Sequence, residues 1–174
     1  MLARYTVRTV LSAVVVPYLA DLGDRWARGE ATIAQEHFAS NVLRGRLLGL
    51  ARGWDAGVGP RALLACPSGE RHDLGLICFG IALRGHGWRI TYLGADTPPE
   101  SLQESIAALA PSAIVLAVTV MADARIVGDG LGQGARVFAI GGRSATPELA
   151  AKLGAEVLDC DPVTAAVRVA AEPQ

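Results

Sequence analysis

From residue 61 onward, continuous apolar runs alternate with amphipathic segments, and this alternation constrains the fold more than any other feature of the chain. The runs "ALLACP", "WRITYLG", "AIVLAVTV", "ARVFAIGG" and "AEVLD" read as strands. Runs apolar throughout, rather than at every second residue, belong to strands covered on both faces. The segments "DLGLICFGIALRGHG", "PPESLQESIAALA", a short stretch around "MADARIVGDGL", "TPELAAKLG" and "DPVTAAVRVAAE" read as helices. This repetition predicts an α/β domain with a flavodoxin-like (Rossmann-like) five-stranded parallel sheet in the order 2-1-3-4-5.

The first third of the chain has a different period. From Tyr5 to Arg28, the residues Val7, Val10, Leu11, Val14, Leu19, Leu22 and Trp26 approximate helical spacing, with Pro17 as a kink or a new start and Gly29 as the stop. Thr32 and Gln35 have capping-box spacing for a second helix through "IAQEHFASNVLRGRLLGLARG", whose apolar positions are Ile33, Phe38, Val42, Leu43, Leu47 and Leu50. Two antiparallel helices do not enclose a bundle core, so this is a partial helical bundle, and further helices are expected upstream. The division that follows is residues 1–53 as helical segment, 54–60 ("WDAGVGP") as a Gly and Pro linker, and 61–174 as the α/β domain.

Composition narrows the function classes. A chain of 174 residues that is 51% hydrophobic can bury a full core. Its 16 Lys and Arg against 17 Asp and Glu give no electrostatic basis for binding DNA, which would need a segment absent from this chain. Cys66 and Cys78 fall inside apolar runs and read as small buried hydrophobes, and with Cys160 the odd, sparse set fits a reducing, cytoplasmic setting. The run "VLSAVVVPYLA" is too short to span a bilayer.

Open parallel sheets bind ligands beyond the carboxyl ends of their strands, where the strand order reverses. "SGERHDLG" follows the first strand, "VTVM" the third and "GGRSA" the fourth, which places His72, Thr119, Gly141 and Gly142 around one crevice. The first turn offers Gly69, Glu70, His72 and Gly75 but no G-x-G-x-x-G, so a nicotinamide dinucleotide is a weak reading. Taken singly, such a His is ordinarily a solvated side chain capping a helix, and such glycines a tight turn. A lone imidazole beside an acid also suits one axial bond to a metal, with Asp73 or another carboxylate holding the other ring N–H. With no second His or Cys at ligand spacing, the metal's remaining ligands would come from a macrocycle.

Residues 70–75, E-x-H-x-x-G with Glu70, Arg71, His72, Asp73 and Gly75, resemble the D/E-x-H-x-x-G signature of cobalamin-binding domains. The resemblance implies that His72 replaces the nucleotide base beneath cobalt and that the base tail is buried in the sheet crevice. The family continues with S-x-L and then G-G; here 41 residues separate Gly75 from Ala117-Val118-Thr119, followed later by Gly141-Gly142. With Ala117 at the serine position, a hydrogen bond to the tail is lost or passes to Thr119. The shorter segment before Gly141 implies a shortened helix there.

A second motif, W-x9-E-H with Trp26, Glu36 and His37, resembles the bundle motif of the CarH and LitR type of light-sensing, adenosylcobalamin-dependent repressors of the MerR class. "VPYLADLGDRWARGE", "EHFASNVLRGRL", "GERHDLG" and "YLGADTP" share that likeness, without the family's DNA-binding domain and first bundle helices. The spacing has its own physical sense. Trp26 ends one helix and Glu36 lies one turn into its partner, so both face one end of the hairpin, where an indole can pack on adenine and a carboxylate can accept from ribose hydroxyls. The ordinary alternative is a core Trp and a solvated Glu-His face, and the arginines of "RGRLLGLAR", Arg44 and Arg46 among them, read as solvated surface.

Ala27 stands where the family carries a His that, by the resemblance, captures cobalt from above once the adenosyl group has left. The resemblance implies a non-enzymatic, homo-oligomeric sensor of light that holds adenosylcobalamin and reaches DNA through a domain outside this chain. Two other functions use similar parts. One is the corrinoid protein of a methyltransferase system, and the other is a haem sensor of the same fold in which His72 ligates iron.

Overall fold

The computed structural model describes residues 5–120 and 130–172. The first helix begins as α1 (Val7–Val10), passes through a π-helical stretch (Leu11–Val15) and continues as α2 (Val16–Ala27). Pro17 explains the interruption. It lacks an N–H and its ring crowds the carbonyl one turn back, and the wider π turn, with Val16 N–H on the Leu11 carbonyl, carries the helix past it. Gly29, at φ +73°, ends α2, with the Glu30 N–H returning to the Arg25 carbonyl. Thr32 then starts α3 (Ile33–Leu50) with the expected capping box to Gln35.

The rest of the chain alternates as its sequence predicts: β1 (Arg61–Pro67), α4 (Leu74–Arg84), β2 (Arg89–Thr97), α5 (Pro99–Leu109), β3 (Ala113–Ala117), β4 (Val137–Gly141), α6 (Pro147–Leu153), β5 (Glu156–Leu158) and α7 (Pro162–Ala171). All pairings are parallel and the order is β2-β1-β3-β4-β5. The fold is flavodoxin-like, and its winding reverses between β1 and β3. The short helix expected around "MADARIVGDGL", and with it the shortened helix before Gly141, falls on residues 121–129, outside the described residues.

Strand period divides the core. Ala62, Leu64 and Cys66 of β1, with Ala113, Val115 and Ala117 of β3, face α4, α7 and the N-terminal hairpin. Leu63, Ala65, Ile114, Leu116 and Val118 face α5 and α6. Helix α4 is buried continuously from Leu76 to Leu83, because the sheet covers one side of it and Leu11, Val15 and Leu47 of the hairpin cover the other. Away from that contact the hairpin is bare, and Val14, Tyr18, Ile33, Phe38 and Val42 are exposed. Among the described residues no helix is long and apolar enough to cross a membrane.

Trp54 opens the segment read as a linker but is only 8% exposed. Its ring meets Tyr92 edge-on, with centroids 5.8 Å apart, and lies over Gly80 of α4. A Cβ at Gly80 would stand 2.9 Å from Leu64 Cδ1 and 3.1 Å from the indole, and all three groups are buried. Gly80→Ala is therefore expected to destabilise by about 1–3 kcal/mol through overpacking, against a helix-propensity gain of about 1 kcal/mol. Urea unfolding checks the sign, and a midpoint at or above wild type would show that Trp54 yields.

Candidate functional site

The loop after β1 is organised by one side chain. Gly69 turns at φ +82°, the Glu70 N–H returns to the Pro67 carbonyl, and the Glu70 side chain is fully buried. Its Oε1 accepts from the His72 backbone N–H at 2.9 Å and the His72 Nδ1 at 2.7 Å. Its Oε2 accepts from the backbone N–H groups of Thr119 and Val120, each at 2.7 Å. Glu70 thus ties the loop after β1 to the loop after β3 across the point where the winding reverses. Burial alone would raise its pKa, but the hydrogen bonds from Val120, His72 and Thr119 outweigh it and hold the carboxyl below its usual range. Glu70 is an anion.

An ionised carboxylate only accepts, so a His72 proton sits on Nδ1, and it is Nε2 that is left to carry the lone pair of the neutral ring. The His72 side chain is 54% exposed, and no described residue bonds its Nε2. The sequence left open which acid holds this ring. It is Glu70, whereas Asp73, buried at the start of α4, receives the Tyr92 hydroxyl and pairs with Arg44 of α3. Arg44 is therefore not the solvated surface its sequence context suggested. Arg71 is exposed, and Gly75 has only Pro162 Cγ, at 3.7 Å, near where a Cβ would stand.

The other walls are set by backbone. Gly142 has φ +121°, and a Cβ there would lie 2.5 Å from the Val118 carbonyl oxygen, so only glycine lets the β4 corner approach the end of β3 this closely. The Val118 N–H reaches the Gly141 carbonyl, and Ser144 donates its N–H to Val118 and its hydroxyl to the Thr119 carbonyl. His72, Thr119, Gly141 and Gly142 are thus brought together as expected. Asp96, which sequence reasoning did not single out, takes a left-handed backbone (φ +54°), accepts from the Gly69 N–H at 2.6 Å and donates its own N–H to the Glu70 carbonyl. A left-handed Asp near the end of β2 is not visible in a single sequence.

Trp26 lies in the last turn of α2 and Glu36 in the first turn of α3, at the same end of the hairpin. That end is tied to the crevice. Arg143, just past Gly142, ion-pairs with Asp24 at 2.6 Å and lies against Gly23. Trp26 is 52% exposed, so the reading of it as core does not hold. Glu36 is half-buried and accepts from the Ser40 hydroxyl, while His37 is 70% exposed with its Nε2 3.6 Å from Glu36.

Among the described residues, no three His, Cys, Asp or Glu side chains group as a metal site. Burial first, with the Asp73 and Glu70 carboxylates adding, pushes the Cys66 thiol up to about 12, and burial pushes Cys78 up to about 12, so neither is a ready ligand or nucleophile. A single oriented imidazole over a floor of glycine backbone suits a metal whose other ligands arrive with it. A family model described as B12 binding domain matches residues 60–167, and a second with the same description matches residues 1–48. The chain belongs to the B12-binding domain family. It is therefore a cobalamin-binding chain.

Over 103 residues this B12-binding chain is 43% identical to the HTH-type transcriptional repressor CarA of Myxococcus xanthus, a match covering 59% of this chain and 34% of the repressor. It is 39% identical to the HTH-type transcriptional repressor CarH of the same organism, over 59% of this chain and 34% of that protein. The match thus spans about a third of either repressor's length. The fold resembles the monomethylamine corrinoid protein of Methanosarcina barkeri, with TM-score 0.61 and 19% identity over 85% of this chain and 75% of that one.

Replacing Glu70 by Gln places an amide N–H against the N–H groups that the carboxylate now accepts. Glu70→Gln is expected to lose about 2–4 kcal/mol of apo-protein stability, the scale of hydrogen bonds to a buried charged group. Denaturant unfolding at neutral pH checks it, and a loss under about 0.5 kcal/mol, the size of an ordinary surface substitution, would contradict the role given to Glu70.

Proposed function

We propose that this chain is the sensory part of a transcriptional regulator, binding adenosylcobalamin with His72 as lower axial ligand and Trp26 and Glu36 over the upper adenosyl group. The observation that carries the reading is the Glu70–His72 pair. It fixes the ring and its tautomer, leaving Nε2 as the donor atom at the carboxyl end of β1. When bound, the cofactor supplies a cobalt–carbon bond that light breaks. Residues 1–53 serve as the lid and 61–174 as the binding domain, with 54–60 between them. Thr119, Gly141, Gly142 and Gly75 line the buried tail, and Arg71, Asp73 and His37 complete the surroundings.

Identity with two repressors over part of the chain supports a regulatory role rather than an enzymatic one. DNA contact in this reading belongs to a separate domain, and the sensor works as a homo-oligomer whose contacts change in light. The deciding experiment is the absorption spectrum of the protein with adenosylcobalamin, dark and then illuminated. The reading expects a spectrum with a nitrogen lower ligand in the dark and an irreversible change in light. In His72→Ala that signature should vanish and affinity fall by about 100-fold or more, beyond the loss of a mere supporting residue. A chain that binds methylcobalamin in preference, with no light response, would belong to a methyl-transfer system instead.

Ala27 gives a further expectation. Alanine has no donor atom, so position 27 cannot hold the cofactor from above after photolysis. Illuminated wild type should release corrinoid on gel filtration more readily than Ala27→His, which should show the spectrum of two nitrogen ligands. Equal retention, with that spectrum already in wild type, would mean that another His reaches the metal.

A further inference from the structure

Asp73 follows His72 directly and occupies the N-cap of α4, yet its side chain makes no capping bond. An Asp at an N-cap ordinarily accepts from N–H groups in the helix's first turn. Here the buried carboxylate turns the other way, to the Tyr92 hydroxyl on β2 and the Arg44 guanidinium on α3. Tyr92 is braced edge-on by Trp54, and burial, with Asp73 adding, raises its pKa, so its hydroxyl stays protonated and donates. Three elements therefore meet at a carboxylate one residue from the proposed cobalt ligand: the strand β2, the start of α4 and the lid helix α3.

Arg44 also has a defined relation to the lid. Glu36, Ser40 and Arg44 follow at four-residue steps, all half-buried, and the Ser40 hydroxyl bonds Glu36 Oε1 at 2.5 Å. They run along one side of α3, with Glu36 about 12 Å up the axis from Arg44 at 1.5 Å per residue. Holding Arg44 on Asp73 sets the height and rotation of α3 against the loop that carries His72. A partly desolvated guanidinium on a buried carboxylate is a stiff link, because moving either group leaves an uncompensated charge.

We infer that Arg44 and Asp73 form the spacer that sets the gap between the lid and His72, making Arg44 a specificity-determining positioning residue that touches no part of the upper group. The inference rests on the reading of His72 and Glu36 given under the proposed function. A correctly set gap favours the bulky adenosyl group over methyl. When the link is cut, α3 is free to shift, and Glu36 loses its register although it is still present.

The test is the ratio of dark affinities for adenosyl- and methylcobalamin, in wild type, Arg44→Met, Glu36→Ala, the double variant and Arg44→Lys, with apo melting temperature confirming that each folds. Arg44→Met is expected to cut the ratio about 10-fold while keeping the His72-dependent spectrum, the scale of coupling between linked residues. It should cut the ratio no further once Glu36 is already Ala, and Arg44→Lys should recover part of the loss. Should Arg44→Met fold poorly, Tyr92→Phe leaves the ion pair in place and is expected to lower the ratio about 3-fold, again only with Glu36 present. An unchanged ratio in a folded Arg44→Met or Tyr92→Phe protein, or reductions by Arg44→Met and Glu36→Ala that simply multiply, overturns this inference alone. Wild type without adenosyl preference or without the His72-dependent spectrum overturns the reading of the site along with it.

Discussion

The structure depends on a carboxylate held out of water at the centre of the sheet's carboxyl edge. Leaving Glu70 ionised and fully buried costs several kcal/mol in desolvation, offset only when its lone pairs are filled in good geometry. Among the described residues those partners include the ring and backbone of His72 and the backbone of Thr119 and Val120 beyond β3. The two loops cannot move independently without leaving a charge unsatisfied. The floor of the crevice, where α/β sheets bind ligands, is therefore preorganised by the protein's own electrostatics, and the ring orientation is one product of that arrangement.

The hairpin is seated on the α/β domain by a different kind of force. Leu11, Val15 and Leu47 seat it on α4 through apolar burial, which is strong but does not specify direction. Direction comes from polar links, among them Arg143 to Asp24 and Arg44 to Asp73. The first is exposed at both ends and contributes little stability, while the second has a buried carboxylate and is the stiffer. Val14, Tyr18, Phe38 and Val42 remain exposed on the same hairpin, as expected of a helix pair that cannot enclose a core by itself.

Much of this was legible in the sequence, for identifiable reasons. Strand runs, the capping box at Thr32 and the stop at Gly29 depend on residues within a few positions of one another, so local pattern is enough. The sheet order followed from the number of units. The long-range polar contacts were not legible: the groups that fill Glu70 lie 49 and 50 residues away and are backbone N–H groups, which every sequence has. Arg44 sits among other arginines in "RGRLLGLAR", and only its position on the folded helix separates it from them. Trp54, beside the glycines of "WDAGVGP", has the local context of a linker, because its burial depends on the missing Cβ of Gly80, 26 positions further on.

His72 stands between two buried acids with separate tasks. Glu70, two residues before it, faces the sheet and fixes the ring, while Asp73, one residue after it, faces the hairpin and receives α3. A likeness at 19% identity over 85% of the chain to a corrinoid protein shows the fold alone. In the proposed reading the cover is carried by the hairpin, whose stiffer polar link to the sheet domain leaves from the residue next to His72. Any displacement of α3 is therefore felt within one peptide unit of the ring, and any displacement of the ring is resisted by Glu70. In that reading, lower ligand and lid are held in one frame by the short segment 70–73, and a change at one face of a bound cofactor has a short, stiff route to the other.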